Sequence, residues 1–400
     1  MHFLRLYVLI SFLRVLPAPA QETLTESAFL APFDENHLAV QALTEDLARA
    51  GGARRRAGTL GNPRVDFDRE APGDNPLQTT WTAAWAPPLD GRRSLARQVA
   101  DAGLEAARAQ FSADRIRLRR EIRKAYADWA LSVERRDVLK SQKEMVANLA
   151  EQTRRRAEAG EESGIAARRL ALASAEIGAE LAIAKADAIR AEALARAWRP
   201  DLPPNARVSR PPLDAAPPAT GTIRPEVEAL RFEVRQAELE GRLSRRFFVF
   251  PELYAGWQTL RQQGVTHGGP VYGVSWSIPL FDRFQASRLE ADQRKKALEA
   301  RLTLTSARIQ AEIEAARSAY KQLAATASEQ AEALADTQKI VEGVAASFRS
   351  GESTVTDVVE TLRSVREARS REIDLYAQAL ETQRALEAAS ATPLNSEGPR

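Results

Sequence analysis

Cysteine is absent from the 400 residues, which excludes a disulfide framework, a thiolate metal site and a lipid-bearing cysteine. Histidine occurs three times, at His2, His37 and His267. These are too scattered for a metal centre, and no H-E-x-x-H, phosphate-binding loop, nucleophile elbow or dinucleotide fingerprint accompanies them. The chain therefore reads as a non-enzyme with no catalytic, cofactor or metal site; His37 suits a helix start and His267 a solvated loop. Beyond the N-terminus no stretch approaches the roughly 20 apolar residues that a membrane-spanning helix needs. An excess of one charge is missing too: 57 basic and 54 acidic residues leave a net +3. Such a balance gives little support for nucleic-acid binding. Glycine and proline are absent from Leu104 to Ala159, and between Phe281 and Ser350 only Gly343 appears.

The N-terminus has what the rest lacks. Arg5 and the apolar run Leu6 to Leu13 precede Ala18-Pro19-Ala20, the pattern of a secretory signal over residues 1–20 with a small-residue cleavage site. A buried helix over Leu6 to Leu16 is the alternative. Residues 391–400 read as a disordered tail.

Two landmarks recur at one spacing. Trp85-Ala86-Pro87-Pro88-Leu89 is matched by Trp276-Ser277-Ile278-Pro279-Leu280, and Gly160-Glu161-Glu162-Ser163 by Gly351-Glu352-Ser353-Thr354, both at an offset of 191. Duplication with fusion accounts for this. The expected division is a first repeat over 34–198, a Pro-rich linker over 199–222 and a second repeat over 223–390. The linker, with Pro203-Pro204, Pro211-Pro212 and Pro217-Pro218, should be extended.

Each repeat reads as a helix, two short strands and two long helices. The opening helices are Asn36 to Arg56, with Leu38, Val40, Leu43 and Leu47 as an apolar face, and Arg224 to Arg246. A helix from Arg92 to about Ala157 would be about 100 Å long at ~1.5 Å per residue. Leu104, Phe111, Leu118, Ala125, Ser132, Leu139 and Val146 recur every seventh position. So do Ile313, Tyr320, Ala327, Leu334, Val341 and Phe348 within one helix expected over Leu280 to Ser350. A sustained seven-residue repeat indicates coiled-coil packing, with ordinary amphipathic bundles as the alternative. The hairpins of helices should turn at Gly160 and Gly351. Thr354 and Asp357 fit a capping box after the second turn, whereas Ser163 caps the first with Ala166 in place of the acid.

The strand segments alternate. Asn62 to Asp68 and Leu77 to Trp85 form the first pair, with Leu77, Thr79, Trp81, Ala83 and Trp85 on one face. Pro251 to Leu260 and Val271 to Ile278 form the second, joined by a short loop over Gln262 to Gly269. Leu253, Ala255 and Trp257 share a face, as do Tyr272, Val274, Trp276 and Ile278. Such lengths approach those of tilted membrane strands, and Trp81, Trp85, Trp257, Tyr272 and Trp276 suit a lipid interface. A half-buried sheet on a soluble protein shows the same alternation. In lipid, however, four strands cannot close a barrel, so insertion demands several chains.

Asn62-Pro63 opening a strand, Ile278-Pro279-Leu280-Phe281-Asp282 leading into a long helix, and Gly351 followed by Thr356-Asp357-Val358 together resemble the TolC-like outer-membrane factor family over nearly the whole chain. The resemblance implies a mainly α fold with a small β part: a homotrimeric β-barrel in the cell outer membrane, continuous with a periplasmic α-helical barrel. It implies a passive efflux conduit whose partners are a periplasmic adaptor and an inner-membrane pump. By the same resemblance Gly160, Ser163, Gly351, Thr354, Thr356 and Asp357 fall at the tunnel entrance and adaptor-docking region, where turning and capping helices is the plainer role. Arg168 and Arg169 near the first tip, and the missing cysteine, depart from parts of the family. The short strand loops and Asn62-Pro63 incline towards its heavy-metal branch. A periplasmic adaptor or a soluble coiled-coil scaffold is the competing reading, though an adaptor resembles one helical hairpin within compact β domains rather than two duplicated ones.

Overall fold

A computed structural model describes residues 23–33, 37–71, 77–213, 224–246, 250–278, 281 and 283–389. The expected signal, Asn36, Pro217-Pro218, Pro279, Leu280, Asp282 and the tail lie outside these residues. A short helix, α1 (Glu26–Leu30), comes first in the chain, and two compact units divide the whole.

The first unit, drawn from Phe33–Glu121, Leu213–Ser328 and Gln378–Arg400, carries the sheet. Its opening helix α2 (Leu38–Gly58) is capped by His37, whose Nδ1 accepts from the Ala39 amide at 3.2 Å. Of the expected apolar face Val40 is buried, whereas Leu38 is 79% exposed. The second repeat opens on α5 (Pro225–Ser244), with Pro225 at its first turn and Glu226 and Glu228 favouring the positive helix end. Arginines from neighbouring helices satisfy the carbonyls left at its other end. Arg288 of α6 (Gln285–Ala333) donates to the Ser244 oxygen at 3.1 Å, and Arg92 of α3 (Arg92–Glu158) donates to the Arg246 oxygen at 2.6 Å.

Four strands, β1 (Arg64–Glu70), β2 (Leu77–Trp85), β3 (Glu252–Gln262) and β4 (Val265–Ser275), form one antiparallel sheet in chain order. The expected loop over Gln262 to Gly269 is largely strand. Only Gln263 and Gly264 turn, both at positive φ (46° and 82°), the conformation a two-residue hairpin turn demands. His267 therefore stands on β4 rather than in a loop, and Trp276 and Ile278 lie past the strand. Glycines at 268, 269 and 273 hid β4 by lowering its strand propensity.

In this unit the buried face of α3 also differs from expectation. Leu104, Phe111 and Leu118 are half-buried, while Ala102, Ala106, Ala109 and Ala113 are buried. Small side chains let neighbouring elements approach most closely at the alanines, leaving the larger residues on the flanks of the contact.

The second unit, drawn from residues up to Pro32, Ile122–Pro212 and Glu329–Ala377, holds the helical hairpins. Here the sevenfold seams are buried: Leu139 and Val146 on α3, and Leu334, Val341 and Phe348 in the second repeat. Leu139, Val146, Val341 and Phe348 pack with Leu170, Ala173, Ile177, Leu181 and Ala184 of α4 (Gly164–Trp198) and with Val358 and Leu362 of α8 (Val355–Ala389). The α4 residues advance in steps of three and four, as coiled-coil contacts do. One helix was expected over Leu280 to Ser350. Instead α6 ends at Ala333 and α7 (Thr337–Ser350) begins after three intervening residues, and Gly343 sits inside α7 without breaking it.

The linker is not simply extended. Leu202 and Ala206 amides close turns on the Arg199 and Pro203 carbonyls, and the chain extends afterwards, where Val208 forms a parallel bridge with Leu24. Around this bridge, Tyr126 on α3 lies within hydrogen-bond distance of the Leu24 and Ser209 carbonyls (2.6 and 2.8 Å) and packs on the fully buried Phe29. Arg199 donates to the Phe29 oxygen at 2.8 Å. Arg210 bonds both Glu134 of α3 (3.1 Å) and Glu372 of α8 (2.6 Å), and stacks on the Tyr376 ring. The N-terminal segment and the linker are thus tied together and onto two long helices.

Candidate functional site

The sheet separates its side chains by chemistry. Register aligns Phe67, Trp81, Trp257 and Pro270 in one row, Val65, Ala83, Ala255 and Tyr272 in the next, and Trp85, Leu253 and Val274 in a third. Alternate positions place all of these on one face. The opposite face presents Arg64, Asp66, Asp68 and Glu70 from β1, Gln78, Thr80 and Thr82 from β2, and Glu252 and Gln258 from β3. The apolar face is the exposed one: Trp257 is 52% and Tyr272 80% accessible. Along β3 the residues of the polar face are the more covered. This inverts the ordinary half-buried sheet, whose apolar face is hidden. Beyond the aromatic row, Arg69 and Arg261 on the same face bound the apolar band towards the hairpin turns.

Aromatic and glycine pairs fix the surface of that sheet. The Phe67 and Trp81 rings lie 4.5 Å apart, and the Trp85 indole donates to the Gly61 carbonyl at 3.1 Å. Tyr254 covers Gly273 so closely that a Cβ there would fall 2.4 Å from its hydroxyl. The edges β1 and β4 pair with no further strand among the described residues. A long open edge is a template for another chain.

The other expected residues gather at the two hairpin turns of the helical unit. Gly160 (φ 79°) follows α3, and Gly351 (φ 83°) ends α7 in the left-handed conformation with its amide on the Phe348 carbonyl. Ser163 Oγ accepts from the Ile165 amide at 3.2 Å. Beyond the second turn the capping box is complete. Asp357 Oδ2 accepts from the Thr354 amide (2.8 Å) and hydroxyl (2.7 Å), while Thr354 Oγ1 accepts from the Asp357 amide (3.3 Å). Those bonds from Thr354 hold the Asp357 carboxyl below its ordinary range. Ala166, where the first tip lacks the acid, is buried in the helix packing.

One contact was not foreseen. Arg169 of α4 donates to Thr356 Oγ1 of α8 at 2.7 Å, joining the two repeats beside their turns. Arg169, Glu176, Glu360 and Arg363 line a groove together with Leu172, Ala173 and Val359. The charged pair Arg168-Arg169 was visible in the sequence, but its partner 187 residues away was not. On α3, Glu151 accepts from Arg154 and Arg155, and these bonds lower its carboxyl to about 2.

No helix among the described residues is long and apolar enough to cross a membrane, a fact that says nothing about strands. Comparison with known proteins bears on the strands directly. Residues 223–392 match the family model described as outer membrane efflux protein. Similar solved structures cover both repeats. CusC, whose structures concern folding and transmembrane channel formation, superposes with a TM-score of 0.72 at 15% identity over 91% of this chain and 90% of that one. The CmeC outer membrane channel of Campylobacter jejuni gives 0.73 at 12% identity, covering 98% and 93%. The outer membrane protein VceC of Vibrio cholerae gives 0.72 at 16%, covering 92% and 95%. None of the curated proteins matches the sequence. The fold is that of these outer-membrane channel proteins, with the efflux-family sequence pattern carried by the second repeat.

Proposed function

We propose that the whole chain is one subunit of an outer-membrane efflux channel, assembled as a homotrimer. The observation that carries this reading is the inside-out sheet with two unpaired edges. In lipid every backbone donor and acceptor must be met within the protein, which only a closed barrel achieves for strands. Three copies would join β4 of one to β1 of the next and close a barrel of about 12 strands, within the range of known membrane barrels. The aromatic face would then meet lipid, and the face bearing Asp66, Asp68, Thr80, Thr82 and Gln258 would line the bore.

Under this reading the helical unit stands in the periplasm, and the turns at Gly160 and Gly351 form the entrance that meets a periplasmic adaptor and an inner-membrane pump. Transport through the channel is passive. Substrate delivered by the pump diffuses along a wall that needs no ligand site, and the chain contributes a polar path and tips able to shift. The complete capping box and the Arg169–Thr356 bond support a defined tip geometry. An adaptor or soluble scaffold gives no reason for an exposed aromatic sheet face.

The test is the oligomeric mass and membrane partition of detergent-extracted protein. A heat-labile trimer in the outer-membrane fraction that conducts in planar bilayers is expected; a soluble monomer, or well-folded protein without conductance, sinks the proposal.

A further inference from the structure

The helix leading to the second tip is broken where no glycine or proline breaks it. Leu334, Ala335 and Asp336 form a turn between α6 and α7, and the backbone tightens: the Ala335 amide reaches the Glu332 carbonyl (3.1 Å) and the Thr337 amide the Leu334 carbonyl (3.2 Å). Asp336 occupies the cap position of α7 without a side-chain capping bond and pairs instead with Lys339 on the surface. Both Leu334 and Thr337 are buried, so the polar groups of this joint need partners within the protein.

The partner comes from another helix. Arg369 of α8 donates through Nη2 to the Leu334 carbonyl at 2.7 Å and to Thr337 Oγ1 at 3.0 Å. Thr337 in turn donates its hydroxyl to the same carbonyl at 2.7 Å. One guanidinium thus closes the C-terminal end of α6 and the first turn of α7 together. Beyond the joint, α7 is a 14-residue helix that reaches the core through a single stripe, Val341, Val344 and Phe348, with Ile340 beside it exposed. A short helix held by one stripe and one end can turn about that end.

We propose that the α6–α7 joint is a hinge and that Arg369 is its latch, so that releasing the latch lets α7 and the turn at Gly351 pivot together. Arg369 is a positioning residue here. The hinge stands on the geometry of the joint alone, and its consequence for opening an entrance rests on the channel reading above.

Hydrogen exchange on the detergent-solubilised full-length protein tests the hinge. Arg369→Ala and Thr337→Val each remove latch bonds, and Arg371→Ala, an exposed residue of the same helix paired with Glu367, is the control. The expected result is exchange at least about ten-fold faster in peptides covering 334–341 for both latch variants, the equivalent of one lost bond of ~1.4 kcal/mol. Peptides from the middle of α4 should stay unchanged, and Arg369→Lys should restore part of the protection. Unaltered exchange over 334–341 in either folded latch variant overturns the hinge; if Arg369→Ala does not fold, Thr337→Val decides.

Planar-bilayer recording then tests the consequence. Larger or longer openings in the latch variants support a hinge that controls the entrance, and faster exchange with unchanged conductance overturns that role. Absence of conductance in the unsubstituted protein would count against the channel reading while leaving the exchange result to judge the hinge.

Discussion

Ala255 and Gln258 stand three residues apart on β3 and face opposite ways, so the same substitution at each asks which side of the sheet meets lipid. Ala255 lies in the middle apolar row beside Ala83 and Tyr272, on the exposed face. On a protein in water, arginine at an exposed strand position changes stability by no more than about 0.5 kcal/mol. At the centre of a bilayer it costs about 2–4 kcal/mol in a barrel wall, and three copies per trimer raise the total to roughly 6–12 kcal/mol. Gln258 pairs with Thr80 and Gly269 on the polar face, where an added arginine meets water and nearby carboxylates and should stay within about 1 kcal/mol of the parent. The assay is the fraction of trimer recovered from outer membranes, followed by its dissociation temperature in detergent. Ala255→Arg should lose most of its trimer while Gln258→Arg retains it. Equal recovery of the two variants, or loss confined to Gln258→Arg, would refute the assignment of faces.

Three further outcomes are expected. Leu170, fully buried in the helical core, should cost about 2–5 kcal/mol as Leu170→Ala, read as a lowered midpoint in thermal melts. Asp357, whose carboxyl is lowered by its bonds to Thr354, supports the second tip above the unfolded carboxylate range and should lose that support as pH falls through its own lower value. Hydrogen exchange in peptides covering 354–362 should therefore speed up at acid pH, with less pH dependence in Asp357→Asn. Burial raises the Glu134 carboxyl, partly offset by Arg210, so its contribution is present at low pH and lost as pH rises through the folded value. Glu134→Gln should accordingly be neutral or mildly stabilising at pH 8, whereas Glu372→Ala, which strips Arg210 of a carboxylate whose side chain is 3% exposed, should cost about 3 kcal/mol; melts at pH 5 and pH 8 separate the two.

Which features could be read in advance follows from how local their physics is. The turns at Gly160 and Gly351 were legible because each uses a left-handed residue that glycine supplies most readily. The capping box at Thr354 and Asp357 was legible because both partners lie within one helical turn. Strand alternation correctly grouped Trp81, Trp85, Leu253 and Trp257 on shared faces. It could not say which face is exposed, because alternation is identical for a sheet that hides its apolar side and one that displays it.

The features that escaped were those decided by a distant partner. No residue of Leu334-Ala335-Asp336 is a strong helix breaker, and the interruption there is accompanied by a guanidinium 35 positions later that satisfies the carbonyl it leaves. Likewise Tyr126, Arg199 and Arg210 look like ordinary helix and linker residues until the segment around Leu24 and Phe29 is laid beside them. The alanine stripe on α3 carried a signal, since four alanines at steps of four and three mark a close approach as surely as leucines mark a wide one, and weighting residues by size concealed it. Both errors have one origin. A heptad of large side chains reports where a helix can bury area, while buried alanines and cross-helix arginines report where its neighbours come closest and where its backbone requires help.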